Sequence, residues 1–193
     1  MALNEYFVDF CERWREKASR YETVEIEDCV DKYFTLYVVF NALYVEAGRD
    51  LSGSDEGFSD KRGAIETVKQ TIGAKALIQE LNSNEGTKEA IKDLTAIMEH
   101  KPFYICLDSR TGEPLPDKDE ELLEQLKSSN SGEKALGLLN LNYQVRCNLF
   151  HGRKGLELNQ RQLFIPLITI LDALVDALYK KQKKKRYVDR ERL

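Results

Sequence analysis

The feature that most constrains the fold is a helical repeat of apolar residues that recurs along nearly the whole chain. In the first such stretch, Leu3, Phe7, Phe10, Cys11 and Trp14 fall on one face of a helix, with charged residues on the other. Further stretches run from about 26 to 47, 60 to 81, 87 to 100, 117 to 127, 133 to 150 and 159 to 181. The 11 glycines cluster between these stretches. The sequence therefore predicts an all-α, single-domain bundle of six or seven helices.

Sequence signals also predict where the elements end. A helical domain over residues 1–181 would contain a loop or insert at about 101–117 and be followed by a basic tail over 182–193. Gly48 is a plausible C-cap for the second helix, and Asn41 falls on an otherwise apolar stripe of that helix. Pro166 would sit in the first turns of the last helix or kink it.

The composition favours a soluble domain: 42% of the residues are apolar and 32% charged. The longest apolar stretch, Leu163 to Tyr179, barely reaches spanning length and carries Asp172 and Asp176, which argues against a membrane helix. The N terminus lacks the basic patch and the apolar run that a secretory signal would have. The four cysteines are scattered, as expected of reduced thiols in a cytoplasmic protein.

Charge is distributed unevenly along the chain. From Lys180 to the C terminus there are eight Lys or Arg and two Asp or Glu, so this tail carries +6, whereas residues 1–179 carry −10. An acidic body is unlike a general nucleic-acid coat protein, which needs many phosphate contacts. Any polyanion must therefore bind to the tail or to a small basic patch. The tail is either a solvated, partly frayed segment or a docking site for RNA or an acidic antitoxin.

Residues 143–155 carry the clearest chemistry. Arg146 offers a permanent cation with a planar fork suited to phosphate, and His151 exchanges protons near neutral pH. With the Asn148 amide, these groups are sufficient for phosphodiester cleavage without metal, and no cofactor is expected. Residues five apart on a regular helix point about 140° away from each other. Arg146 and His151 would converge if the helix unwinds before Gly152, or if two copies of the segment meet in a symmetric dimer.

Two segments carry a family resemblance. Arg146 and His151, separated by four residues at the end of a helix and followed by Gly152, are similar to the motif of the HEPN superfamily, in which four to six residues separate an Arg from a His. The string Phe40-Asn41-Ala42-Leu43-Tyr44, within Phe34–Glu46, resembles the aromatic-rich second helix of the same group. Together the segments cover about 25 residues, and the helical layout agrees over most of the chain.

The resemblance implies a helical bundle that forms a homodimer. Many HEPN proteins are metal-independent ribonucleases in toxin–antitoxin, CRISPR-associated and phage-defence systems, where the Arg and His of both subunits form the site. In that family a polar residue just after the Arg assists; here Cys147 follows Arg146, and the polar residue comes one position later, at Asn148.

The resemblance also suggests roles for the residues. His151 is expected to act as general acid or base and Arg146 to stabilise the phosphate, while Asn148 would orient the substrate. Three neighbours are candidates for binding RNA: Tyr143, Arg153 and Lys154.

Two other interpretations stay open. Taken without the resemblance, an Arg and a His near a helix C terminus are more often structural, because cations offset the partial negative charge of the last carbonyls. Some HEPN members keep the fold without activity, so the chain is alternatively a non-catalytic nucleotide-binding or assembly module in a defence complex.

Overall fold

The computed structural model describes residues 5–53, 59–108, 110–152 and 157–190. Within these ranges the chain forms eight helices and no β-strand, which confirms the all-α prediction. Their bounds are α1 Glu5–Ser19, α2 Ile26–Ser52, α3 60–72, α4 Ala74–Ser83, α5 Glu85–His100, α6 Pro116–Lys127, α7 Ser131–Phe150 and α8 Arg161–Arg190. Helix α3 is continuous but widens to a π-helix over Gly63–Thr67.

Polar residues cap the start of several of these helices, and one glycine adds a helix to the expected number. The side chains of Ser59, Asn84 and Asn130 each accept a hydrogen bond from a backbone N–H in the first turn of α3, α5 and α7. Gly73, at φ 88°, separates α3 from α4 where the sequence predicted one helix. Such a φ is open to glycine and strained for other residues, so the break is local in origin.

Helices α2 and α8 pack along each other at the centre of the bundle, and the others surround this pair. The buried face of α2 includes Tyr33, Leu36, Phe40 and Leu43, each 2% exposed or less. Asn41, predicted to lie on the apolar stripe, is exposed instead. The buried face of α2 is centred on Tyr33, Phe40 and Leu43 and not on the predicted stripe. Relative to the prediction the helix is therefore rotated about its axis, and the Asn41 amide lies in solvent.

Two predicted helix ends are wrong. Helix α2 continues past Gly48, which is buried, and ends at Gly53 in the left-handed conformation with φ 65°. Helix α8 continues nine residues beyond 181, so the predicted boundary between domain and tail falls inside a helix. The buried Gln182 side chain donates to the Leu43 carbonyl at 2.6 Å, and this bond attaches the start of the basic segment to α2.

The predicted insert is an irregular connection between α5 and α6, with one antiparallel bridge between Leu107 and Pro114. Buried Asp119 fixes it, because its carboxylate accepts the N–H groups of Ile105 at 2.9 Å and Cys106 at 2.7 Å. These charge-assisted bonds offset the cost of burying the carboxylate. The connection therefore lies at a fixed place beside α7.

One helical stretch, Leu158–Lys183, is long and apolar enough to cross a membrane by length and composition alone. Of its apolar window, 67% is buried against the rest of the bundle. This is the character of a core helix in a soluble protein, because the apolar face is already covered by protein.

Candidate active site

The site forms around Arg146, near the C-terminal end of α7. Its Nη1 lies 2.8 Å from Oδ2 of Asp60, the first residue of α3, with the two side chains 22% and 36% exposed. Asp60 also accepts a short hydrogen bond from the hydroxyl of Tyr44 on α2. Three helices distant in sequence therefore meet at one ion pair, which holds the guanidinium at the surface.

Two aromatic rings also pack against the guanidinium of Arg146. Its carbon lies 4.3 Å from the ring centre of Phe150, one turn further along α7, and 5.6 Å from that of Tyr37 on α2. Both distances are within the range of cation–π attraction. Phe150 is 58% exposed, and its ring packs at a right angle against that of Phe34, with the two ring centres 5.0 Å apart. The cation thus has a defined position with one side open to solvent.

Burial and charge act in opposite directions on these groups. Burial lowers the pKa of Arg146, but Asp60 raises it, and the net shift is upward, so the guanidinium stays charged. Burial raises the pKa of Tyr44 well above its usual value, as does its hydrogen bond to Asp60, so this phenol remains a hydrogen-bond donor. The Tyr37 hydroxyl and the Arg146 Nε are buried without a hydrogen-bond partner in the described part of the chain. A buried donor without a partner costs free energy.

His151 lies directly beyond the end of α7. Its backbone N–H still donates to the Cys147 carbonyl at 3.1 Å, while Gly152 turns into the left-handed conformation with φ 59°. The imidazole is exposed. The helix therefore ends where the sequence predicts: it is regular through Phe150, and His151, with φ −91° and ψ 7°, lies outside it and before Gly152. Within one chain the structure gives no hydrogen bond between the side chains of His151 and Arg146.

Asn148 has partners that differ from the predicted ones. It is 4% exposed; its Nδ2 donates to the Ile105 carbonyl at 2.7 Å, and its Oδ1 accepts from Gln144 Nε2 at 3.0 Å. The amide thereby anchors the connection between α5 and α6 to α7. Both ends of the amide are occupied inside the fold, so we give Asn148 a structural role and do not include it in the site.

The predicted RNA-binding residues divide into two groups. Tyr143 is half-buried one turn before Arg146, and burial together with a hydrogen bond to Cys147 raises its pKa to about 12. Its phenol is therefore neutral at physiological pH and can donate a hydrogen bond. Arg153 and Lys154 lie outside the described residues.

Sequence reasoning missed Asp60 as a member of the site. Its position in the first turn of a helix indicates only a favourable interaction with the helix dipole. No local pattern indicates that it pairs with a residue 86 positions away. Two tyrosines of α2, Tyr37 and Tyr44, are buried beside the site, at 3% and 1% exposure.

In the ranges that the structure describes, no group of three or more His, Cys, Asp or Glu side chains is placed to hold a metal ion. All four cysteines are free thiols. What the site offers is a fixed guanidinium, an exposed imidazole five residues later, and neutral phenols around them. This combination suits binding of an anion and transfer of a proton.

No protein-family model matches the chain, and neither a characterised protein nor a solved structure matches it significantly.

Proposed function

We propose that this chain is a HEPN-like, metal-independent endoribonuclease that acts as a cytoplasmic homodimer, in a toxin–antitoxin or phage-defence system. The observation that carries the proposal is the placement of Arg146. A permanent cation is held at the surface between Asp60 and Phe150, five residues before an exposed His151 at the helix end. This is the arrangement expected of the two-residue motif that the sequence resembles.

In the proposed reaction the ribose 2′-hydroxyl attacks the adjacent phosphorus, and the bond to the 5′-oxygen of the next nucleotide breaks. One His151 takes the proton of the 2′-hydroxyl, and the other protonates the leaving oxygen. The guanidinium of Arg146 stabilises the negative charge that develops on the phosphate oxygens. The products are a 2′,3′-cyclic phosphate and a 5′-hydroxyl, so atoms and protons balance without metal or water.

The exposed Phe150 supports a dimer through this face. The residue is 58% exposed beside a paired cation, so a second copy of the chain packed on this face would cover it. An isologous contact there would bring two copies of Arg146 and His151 together. The structure gives no hydrogen bond between the two side chains within one chain, and a dimer would supply the convergence that the reaction needs.

A second candidate function is favoured by the ion pair itself. Asp60 already neutralises Arg146 at 2.8 Å, so a phosphate must displace or share this partner. A site that keeps the pair intact would suit a non-catalytic module that binds a nucleotide or assembles with a defence-complex protein or antitoxin. The two candidate functions differ in outcome: the ribonuclease breaks phosphodiester bonds of RNA, whereas the module binds without breaking bonds.

The test is RNA cleavage by the purified chain in the presence of a chelator, with analysis of the product ends. We expect 2′,3′-cyclic phosphate ends, and loss of cleavage by at least 100-fold in Arg146→Ala and His151→Ala, because general acid–base catalysis contributes about 10²–10⁴-fold. The chain offers matched controls. His100→Ala removes the other, also exposed, histidine, and Arg15→Ala removes an Arg from a similar ion pair with Asp176.

Two outcomes would sink the proposal. The first is a wild-type chain that folds and dimerises yet leaves RNA intact, which favours the module. The second is cleavage that persists equally in Arg146→Ala and His151→Ala. Sedimentation of the wild type and of Phe150→Asp tests the dimer separately, and we expect the charged substitution to give a monomer.

A further inference from the structure

A cleft of about 270 Å³ opens beside the candidate site, between the start of α3, the connection after Cys106, and helices α6 and α7. Its volume is near the lower end of the roughly 300–1,000 Å³ typical of small-molecule sites, which suits one nucleoside. The polar side chains that line it are Lys61, Lys118, Glu121, Gln125, Asn140, Tyr143 and Gln144.

Some residues that line the cleft lie close in sequence to residues of the candidate site. Lys61 directly follows Asp60, the ion-pair partner of Arg146. Tyr143 and Gln144 precede Arg146 by three and two residues on α7. Residues three apart on a helix are neighbours on its surface, so a nucleotide next to a phosphate at Arg146 would lie toward Tyr143 and this cleft.

Side-chain amides give the cleft the means to recognise a base edge. Asn140 Nδ2 donates to Gln125 Oε1 at 3.4 Å, and Gln144 Nε2 donates to Asn148 Oδ1 at 3.0 Å. Each amide has two N–H donors and two acceptor lone pairs, so these bonds use only part of its capacity. Leu107, Leu115 and Leu122 form apolar lining for the flat face of a ring. Single-stranded RNA is recognised through bases that stack on aromatic side chains and hydrogen-bond through their edges, and Tyr143 is an aromatic residue in this lining.

The charge at the rim favours a phosphate. Lys118 Nζ lies 2.8 Å from Glu121 Oε2, and both Lys118 and Lys61 lower the pKa of the Glu121 carboxyl. Among the charged residues that line the cleft, two are cations and one is a carboxylate, so the lining carries one net positive charge. A phosphate at this rim would pair with Lys61 and share Lys118 with Glu121.

We infer that this cleft binds one nucleobase of the RNA substrate, with Asn140 and Gln144 contacting the base edge and Lys61 and Lys118 contacting the adjoining phosphate. The inference rests on the proposed function for the identity of the ligand as RNA. It goes further by assigning substrate recognition to residues outside the Arg146–His151 motif, and by making cleavage dependent on the base in this cleft.

The test is calorimetric titration of the full chain with each of the four nucleoside 3′-monophosphates and with inorganic phosphate. We expect one monophosphate to bind at least 10-fold more tightly than the others, and phosphate alone to bind more weakly still. Asn140→Leu should remove the preference among bases. Lys118→Ala should weaken all four monophosphates about equally. Lys92→Ala is the matched control, because Lys92 also pairs with a Glu three residues away on an exposed helix face and lies outside the cleft.

The same variants are then assayed for RNA cleavage, which separates the two proposals. If wild type and the cleft variants bind the monophosphates alike and cleave with one base preference, the cleft inference is wrong and the ribonuclease stands. If the wild type shows base-selective binding that Asn140→Leu abolishes but no cleavage, the ribonuclease is wrong and the cleft stands. Since Lys118 is exposed, Lys118→Ala remains informative should Asn140→Leu fail to fold.

Discussion

The pair of Arg146 and Asp60 is the contact on which the geometry of the site depends, and its strength can be measured. We consider a double-mutant cycle of Arg146→Ala, Asp60→Ala and the double variant. Removal of Asp60 alone leaves a half-buried cation over two rings, with its Nε already without a partner among the described residues. Removal of Arg146 alone leaves a carboxylate whose remaining side-chain partner is the Tyr44 hydroxyl.

The magnitude follows from the distance and the exposure. The N–O distance of 2.8 Å places the charge centres about 4 Å apart, where the attraction is about 4 kcal/mol at an effective dielectric constant of about 20. Solvent reaches 22% and 36% of the two side chains and screens much of this attraction. We therefore expect a coupling free energy of about 1–2 kcal/mol, above the ~0.2–1 kcal/mol typical of exposed pairs.

The assay is urea unfolding of the four proteins, with the free energy of unfolding taken from each transition. In thermal unfolding, Asp60→Ala alone should lower the melting temperature by about 2–8 °C for a loss of about 1–2 kcal/mol, since 1 kcal/mol shifts a domain of this size by about 2–4 °C. The matched control is the same cycle on Arg15 and Asp176, a pair without the aromatic rings that contact Arg146. Nη2 of Arg15 lies 2.5 Å from Oδ1 of Asp176, and the two side chains are 32% and 40% exposed. A coupling below about 0.5 kcal/mol at Arg146 and Asp60 would refute the reasoning.

Three further predictions concern the packing around the site. Burial raises the pKa of Tyr143 to about 12 from the usual 10, so its contribution to stability is complete below pH 10 and falls as pH rises from 10 to 12; urea unfolding at pH 9–12 should show a smaller decline in Tyr143→Phe. Asn148→Ala should lower the free energy of unfolding by about 1–3 kcal/mol because the buried Ile105 carbonyl loses its donor, and cleavage per folded molecule should not change; a fall in that rate without destabilisation would return Asn148 to the site. Gly137→Ala should cost about 1–3 kcal/mol, since an added Cβ would lie 2.8 Å from the Gln125 Cβ, and unchanged urea midpoints would contradict it.

The helical elements were predictable because their signals are local. Apolar periodicity in the first 20 residues depends only on neighbours within one or two turns, and α1 lies where it predicts a helix. The errors concern ends where tertiary packing overrides local signals. Gly48 does not end α2, because the glycine is packed in the core and the helix continues along its neighbours.

The candidate site was half predictable for the same reason. Arg146 and His151 stand in a motif that the chain displays locally, and the end of α7 at Gly152 follows from glycine chemistry. The role of Asn148 was not predictable, since whether an amide on α7 faces solvent or the connection at Ile105 depends on where that connection packs.

The sequence by itself determined that this chain forms a bundle of amphipathic helices and that one of them ends in an Arg and a His, because periodicity and capping are encoded within a few residues. Only the tertiary structure decided that Asp60 and two aromatic rings hold the guanidinium, and that the amides of α6 and α7 line a cleft beside it. Contacts between residues tens of positions apart depend on the relative placement of whole helices, which is set by the packing of the entire core.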